Sequence, residues 1–211
     1  MSEAEGVIKY QLSFNNTLPL MWLGFEELNA WRNILFNLHL IGQDEARYDG
    51  YGYGNISYRN QCDSDAFYIS GTQTGGKKQL TINDYCRVTS CDVKHNHIVA
   101  DGAIKPSSEA LSHGAVYHLD NRIRCVIHVH SDVLWRCAAQ IGLPCTDEST
   151  PYGTVEMAEE IAGLYRSGKL SKARLFIMGG HQDGVIAYGE TIEQAGAALI
   201  AQLSLAIQNY K

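Results

Sequence analysis

Arg124-Cys125-Val126-Ile127-His128-Val129-His130-Ser131 is an apolar run that ends in two histidines one residue apart. It reads as a buried strand that runs into the two histidines. Side chains alternate between the faces of a strand, so His128 and His130 project to the same side. Two imidazoles placed that way can grip one metal ion, and zinc takes four ligands in a tetrahedron. The competing reading is an edge strand with two solvated histidines. Whether the rest of the chain supplies a third ligand, an acid or base and a substrate cradle separates the two.

A third histidine follows a second buried strand. Arg174-Leu175-Phe176-Ile177-Met178 reads as a buried strand and runs into Gly179-Gly180-His181-Gln182-Asp183-Gly184, after which 185–188 continue as a strand. His181 thus sits at a glycine-lined corner between apolar strands. Three histidines with one open position describe a catalytic zinc site better than a closed structural one. Glu109 and His113 lie four apart on one helical face, with Tyr117 a turn further on. That helix opens at Lys105-Pro106-Ser107-Ser108, where Ser107 or Ser108 is the expected N-cap and the free N–H groups favour an anion. The loop 71–78 adds hydroxyls, backbone amides and two lysines, the chemistry of an anion cradle without the spacing of a P-loop. Upstream, Gly50-Tyr51-Gly52-Tyr53-Gly54-Asn55 brings a backbone able to approach a ligand closely, followed by an amide donor. His95 and His97 form another His-x-His, but in a polar turn, and read as surface residues.

Elsewhere the spacing predicts helices over 25–41, 132–141, 154–165 and 191–209, and strands over 7–10, 67–70, 87–93 and 96–99. Glu156 reads as a first-turn dipole residue. Strands and helices alternate, which predicts a layered α/β domain with a mixed sheet covered by helices on both sides. The 211 residues read as one domain, 1–211, with 1–24 as an N-terminal arm. Net charge is −6 and pI near 5.7, with scattered basic residues, which argues against a nucleic-acid partner. Six cysteines without a Cys-x-x-Cys pair point to a reducing, cytoplasmic setting. The start of the chain lacks a basic signal-peptide region, and residues 18–25 are too short to span a bilayer, so no membrane partner is expected.

Two other folds use His-x-His. Amidohydrolase barrels need a longer chain, and cupins need an all-β pattern. In their order, Gly54-Asn55-Ile56-Ser57, the Ser70 to Gly75 loop, Asp101-Gly102, Lys105 to Glu109, His128-Val129-His130, Gly153-Thr154-Val155-Glu156 and the His181 to Gly184 corner resemble the class II aldolase/adducin family over residues 25–205. The resemblance implies a three-layer α/β/α sandwich around a central mixed, mainly antiparallel sheet, assembled as a homotetramer with active sites between subunits. It implies His128, His130 and His181 as zinc ligands (another divalent metal being an alternative) and Glu109 as acid/base. It implies Asn55, Thr74, Gly75, Ser107 and Ser108 as the phosphate cradle, with Ser70-Gly71 as an alternative register for Thr74-Gly75.

The expected activity is that of a zinc-dependent lyase cleaving a phosphorylated ketose by retro-aldol chemistry through a metal-stabilised enediolate. An epimerase or dehydratase on the same scaffold is the alternative, and a non-catalytic adducin-like module a third. Departures fall at the corner, where Asp183 intrudes, and at Thr146-Asp147-Glu148-Ser149, where fuculose-phosphate aldolases carry a tyrosine. Tyr152 is near that place but displaced in sequence. No C-terminal catalytic tail is evident.

Overall fold

The computed structural model describes residues 6–19, 21–60 and 65–210. Its strands are β1 (Gln11–Asn16), β2 (Gly42–Gln43), β3 (Gly52–Tyr53), β4 (Asn55–Tyr58), β5 (Phe67–Ser70), β6 (Tyr85–Asp92), β7 (His97–Gly102), β8 (Cys125–His130), β9 (Leu175–Ile177) and β10 (Gly184–Gly189). Its helices are α1 (Phe25–Asn37), α2 (Ala110–Leu119), α3 (Asp132–Cys137), α4 (Val155–Arg166), α5 (Leu170–Ala173) and α6 (Ile192–Asn209). Eight strands form one sheet in the order β1-β7-β6-β5-β4-β8-β10-β9, and β2 pairs with β3 alone. Only β1 and β7 run parallel; the remaining neighbours are antiparallel. The sheet is therefore mixed, as the alternation of elements predicts, and mainly antiparallel, as the resemblance implies.

Alternation along β8 shows why its sequence is apolar throughout. Cys125, Ile127 and Val129 pack into a core shared with Leu28 of α1, Leu134 of α3 and Leu199 of α6. Val126 faces the opposite core, with Leu111 of α2 and Met157 and Ile161 of α4. Both faces are covered, so no polar alternation survives. His128 and His130 share the parity of Val126 and so point into the α2/α4 layer. Full burial of each large aliphatic side chain contributes about 1.5–3 kcal/mol, and the two cores hold the three layers together.

Helix α2 is pinned at its far end. The buried Arg59 guanidinium donates to the carbonyls of Tyr117, Asp120 and Ile123 at 2.6–3.3 Å. It thereby satisfies carbonyls that a helix C-terminus leaves without partners. Thr154 caps α4 and Thr191 caps α6, each accepting from a backbone N–H three residues on.

Several boundaries differ from expectation. Residues 7–10 are not a strand; β1 begins at Gln11, where Leu12 and Phe14 alternate onto the core. The first helix stops at Asn37, because Leu40 and Ile41 turn inward and both donate back to the Leu35 carbonyl. Helix α3 is shorter than predicted, and Arg174 closes α5 in a left-handed conformation instead of opening β9. Cys86, Cys91, Cys125 and Cys137 are buried free thiols, Cys145 is exposed, and Cys62 lies outside the described residues. Among the described residues no helix is long and apolar enough to cross a membrane.

Candidate active site

Antiparallel pairing sets Gly184 of β10 opposite His130 and Ile186 opposite His128. The turn from β9 to β10 therefore arrives at the C-terminal end of β8. Ser131 N–H donates to the Asp183 carbonyl and Gly184 N–H to the His181 carbonyl, closing the corner at 2.8 and 2.9 Å. The three imidazole centroids lie 4.8–5.2 Å apart. One ring nitrogen from each falls within 4.8 Å of the others. His128 directs Nδ1 at the Val185 carbonyl, 3.2 Å away, which puts its proton there and leaves Nε2 as a lone pair without a protein partner. The Nε2 atoms of His130 and His181 are 3.1 Å apart. Two such nitrogens are satisfied either by one shared proton or by a cation between them, so this donor set fits a divalent metal. Burial pushes His128 down to about 4 and holds His130 and His181 well below the ordinary histidine value. All three are neutral at pH 7, the form that ligates.

The corner has no room for side chains at its glycines. A Cβ on Gly180 would lie 2.0 Å from the Thr150 carbonyl oxygen, because the 144–152 loop folds directly over it. Gly180→Ala is expected to cost about 1–3 kcal/mol and to lower the thermal midpoint. An unchanged midpoint would show that the loop yields freely.

Glu109 immediately precedes α2 and is 1% exposed. Its Oε1 is 3.9 Å from His181 Nε2. Burial raises it to about 7, against the opposing pull of the Ser112 hydroxyl and the Lys9 ammonium. A carboxyl that exchanges its proton near neutrality suits acid–base chemistry. Neither Ser107 nor Ser108 caps the helix, since Glu109 occupies the N-cap position. Ser107 N–H is drawn to the Ser70 carbonyl at 3.3 Å, which leads the chain past the sheet before the helix begins.

Asn55, Thr74, Gly75, Ser107 and Ser108 line one small polar cavity together with Gly71. The structure thus brings all five predicted cradle residues into one place. Ser70 is not among them, as its hydroxyl accepts the Ile56 N–H at 3.2 Å. Asn55 is opposite His128 in the β4–β8 pairing, and its buried Oδ1 lacks a protein partner. Arg32, a residue that sequence reasoning assigned only to a helix, holds the loop from behind. Its guanidinium donates to the carbonyls of Thr74, Gly75 and Lys78 at 2.9–3.1 Å.

The family described as Class II Aldolase and Adducin N-terminal domain matches residues 43–207. The chain belongs to this family. L-fuculose-1-phosphate aldolase from Thermus thermophilus is 21% identical, with a TM-score of 0.63 over 88% of this chain and 92% of that one. A second L-fuculose 1-phosphate aldolase structure is 18% identical, with a TM-score of 0.65 over 91% and 86% of the two chains. YgbL from Escherichia coli, a candidate aldolase, epimerase or decarboxylase, is 18% identical, with a TM-score of 0.62 over 87% and 86%. At these identities the likeness shows the fold alone. No curated protein sequence matches the chain. Class II aldolases are metal-dependent, and the three-histidine cluster can hold a metal ion.

Around this three-histidine cluster lie residues that sequence reasoning missed or misplaced. Tyr152, displaced in sequence, is buried with its ring centroid 4.5 Å from that of His181. The loop over Gly180 carries it there. Asp183, noted only as a departure, accepts from Tyr48 Oη at 2.7 Å and from Arg47 Nη2 at 3.2 Å. The Tyr48 ring meets His130 edge-on, with centroids 4.5 Å apart. Tyr48 and Asp49 both have left-handed backbones, which no local sequence signal marks. His113 is buried one turn into α2, its N–H donating to the Glu109 carbonyl at 3.0 Å. Its Nδ1 pairs with Ser57 Oγ, which also meets Tyr117 Oη, each at 2.7 Å. His95 is exposed on Asp92, as expected of a surface residue, whereas half-buried His97 pairs with Ser13 across β1 and β7.

The buried histidines predict an acid-labile apo-protein. Their folded pKa values lie below the unfolded value of about 6.5, so the unfolded chain binds more protons below that pH. Stability is retained above pH 6.5 and falls as pH drops, through about 4 for His128, whose share of the loss is about 3 kcal/mol. Glu109, raised to about 7, acts with the opposite sign but is one group against His113, His128, His130 and His181. Denaturant midpoints of chelator-treated protein between pH 7.5 and 4.5 should fall steadily; a flat profile contradicts this.

Proposed function

We propose that this protein is a zinc-dependent aldolase that cleaves a phosphorylated ketose by a retro-aldol reaction. The observation that carries the reading is the convergence of three neutral, buried imidazoles and a raised carboxyl beside a polar cavity. His128, His130 and His181 would hold the metal. When bound there, a divalent ion would supply Lewis acidity to a carbonyl oxygen and favour negative charge on it.

The chain's own residues do the rest. Asn55, Thr74, Gly75, Ser107 and Ser108 hold the phosphate, and Arg32 keeps the Thr74–Gly75 backbone in place by occupying its carbonyls. Fixing the phosphate fixes the distance from it to the reacting carbon. Glu109 returns a proton to the carbon left electron-rich by cleavage, and in the reverse direction removes it. Its burial supports this, since a carboxyl near 7 holds or gives up a proton at neutral pH. The β8 strand and α2 exclude water from the histidine side, where His128 and His113 are fully buried.

The test is a screen of phosphorylated and unphosphorylated ketoses with zinc-loaded protein, followed by product analysis. An aldehyde plus dihydroxyacetone phosphate supports cleavage. A changed stereocentre with an intact carbon chain, or loss of water, replaces the aldolase with an epimerase or dehydratase. Protein that takes up no stoichiometric metal overturns the reading altogether.

A further inference from the structure

Residues 6–10 have no part in the chemistry above, yet they run along the site. Gly6 lines the cradle against the Gln73 side chain. The Val7 carbonyl accepts from Tyr152 Oη at 3.5 Å. Tyr10 is buried, and its hydroxyl donates to the Ser107 carbonyl at 2.8 Å. Ile8 packs on the α2/α4 core. The segment is also anchored: Asn96 Nδ2 donates to the Lys9 carbonyl at 3.2 Å and Gln11 N–H to the Asn96 carbonyl at 2.8 Å.

Lys9 is carried by this anchored backbone. Its Nζ stands 3.7 Å from the centroid of the Tyr152 ring, which in turn lies against His181. Its charge is felt by both Glu109 and His181. Gly6 and Tyr10, on either side of it in sequence, touch the cradle and Ser107. Among the described residues, those lining the cradle include no lysine or arginine. A dianionic phosphate in a cavity of neutral donors gains from a nearby cation.

We propose that Lys9 is a substrate-binding residue whose ammonium contacts the anionic oxygens of a phosphorylated ligand seated between the cradle and the histidine cluster, with residues 6–10 as a wall of the site. This rests on the cradle binding phosphate, as proposed above.

Inorganic phosphate titrated calorimetrically into the full-length parent, Lys9→Met and Lys9→Arg tests it. Lys9→Met keeps an apolar stem over Tyr152 but removes the charge, and is expected to weaken phosphate binding about tenfold. Lys9→Arg should recover most of that loss. Hydrogen exchange at amides 7–10 of the parent should slow when phosphate is added. Equal affinity of parent and Lys9→Met overturns the proposal, as does exchange unmoved by phosphate or a parent that binds none. Lys9→Gln repeats the comparison if Lys9→Met fails to fold. Ketose-phosphate cleavage followed in parallel keeps the two readings apart. A parent that shows the Lys9 contrast in binding but cleaves nothing overturns the retro-aldol reaction and leaves Lys9 as a binding residue.

Discussion

Glu109→Gln is expected to lower the rate of ketose-phosphate cleavage by about 10²–10⁴-fold, the usual worth of a positioned acid or base, while metal content stays at the parent level. The substitution is nearly isosteric and leaves the three imidazoles in place. It removes the group that titrates near 7. Stability should change in the opposite direction to activity. Because the folded pKa of Glu109 lies above the ordinary carboxyl value, its contribution is fully present below about 4.5 and lost as pH rises through about 7. At pH 8 the metal-free parent buries a charge that Ser112 and Lys9 only partly compensate, at a cost of about 3 kcal/mol, and the variant does not. Chelator-treated Glu109→Gln should therefore melt no lower than the parent at pH 8. Steady-state rates, metal analysis and melting curves together check this. A variant that cleaves at the parent rate removes Glu109 from the chemistry, and one that loses metal makes it a ligand.

His128→Ala is expected to weaken metal binding by more than about 100-fold, beyond what losing an outer-shell partner costs. His128 enters through its Nε2, and its Nδ1 bond to Val185 holds the ring in position. Without it two imidazoles remain, too few for a tight zinc site. His95→Ala, on an exposed turn, is the matched control and should leave metal content unchanged. Competition with a chromogenic chelator measures both. If His128→Ala retains stoichiometric metal at parent affinity, the cluster at the end of β8 is not the metal centre. Metal uptake should also raise the parent's melting temperature, since an ion that binds only the folded state stabilises it by mass action.

Much of this site is legible in the sequence. His128 and His130 belong together because a strand repeats every two residues, and Glu109 and His113 because a helix repeats every three to four. Those are local rules; the first holds along β8, while Glu109 stands just before α2 as its N-cap residue. The cradle was legible as separate loops rich in hydroxyls and glycine. What remained hidden depends on contacts distant in sequence. Arg32 reaches Thr74 and Gly75 across 42 and 43 positions. Tyr48 reaches Asp183 across 135. The 7–10 segment read as a strand because its residues favour extended backbone. The sheet had a better partner for Gln11–Asn16, whose Leu12 and Phe14 reach the core when paired with β7.

By itself, then, the amino-acid order determined that a buried strand would end in two histidines on one face, that a glycine corner would present a third, and that a helix would open with a carboxyl beside two serines. Each follows from backbone periodicity and side-chain chemistry over a few residues. Only the tertiary structure decided that the three histidines meet, because the β8–β10 register places Gly184 opposite His130. It alone raised Glu109 toward neutrality, since burial is a property of the packed layers. It alone brought Tyr152, Tyr48, Asp183 and Lys9 to the same centre. Desolvation and long-range pairing depend on everything that surrounds a residue, and no short stretch of sequence carries that information.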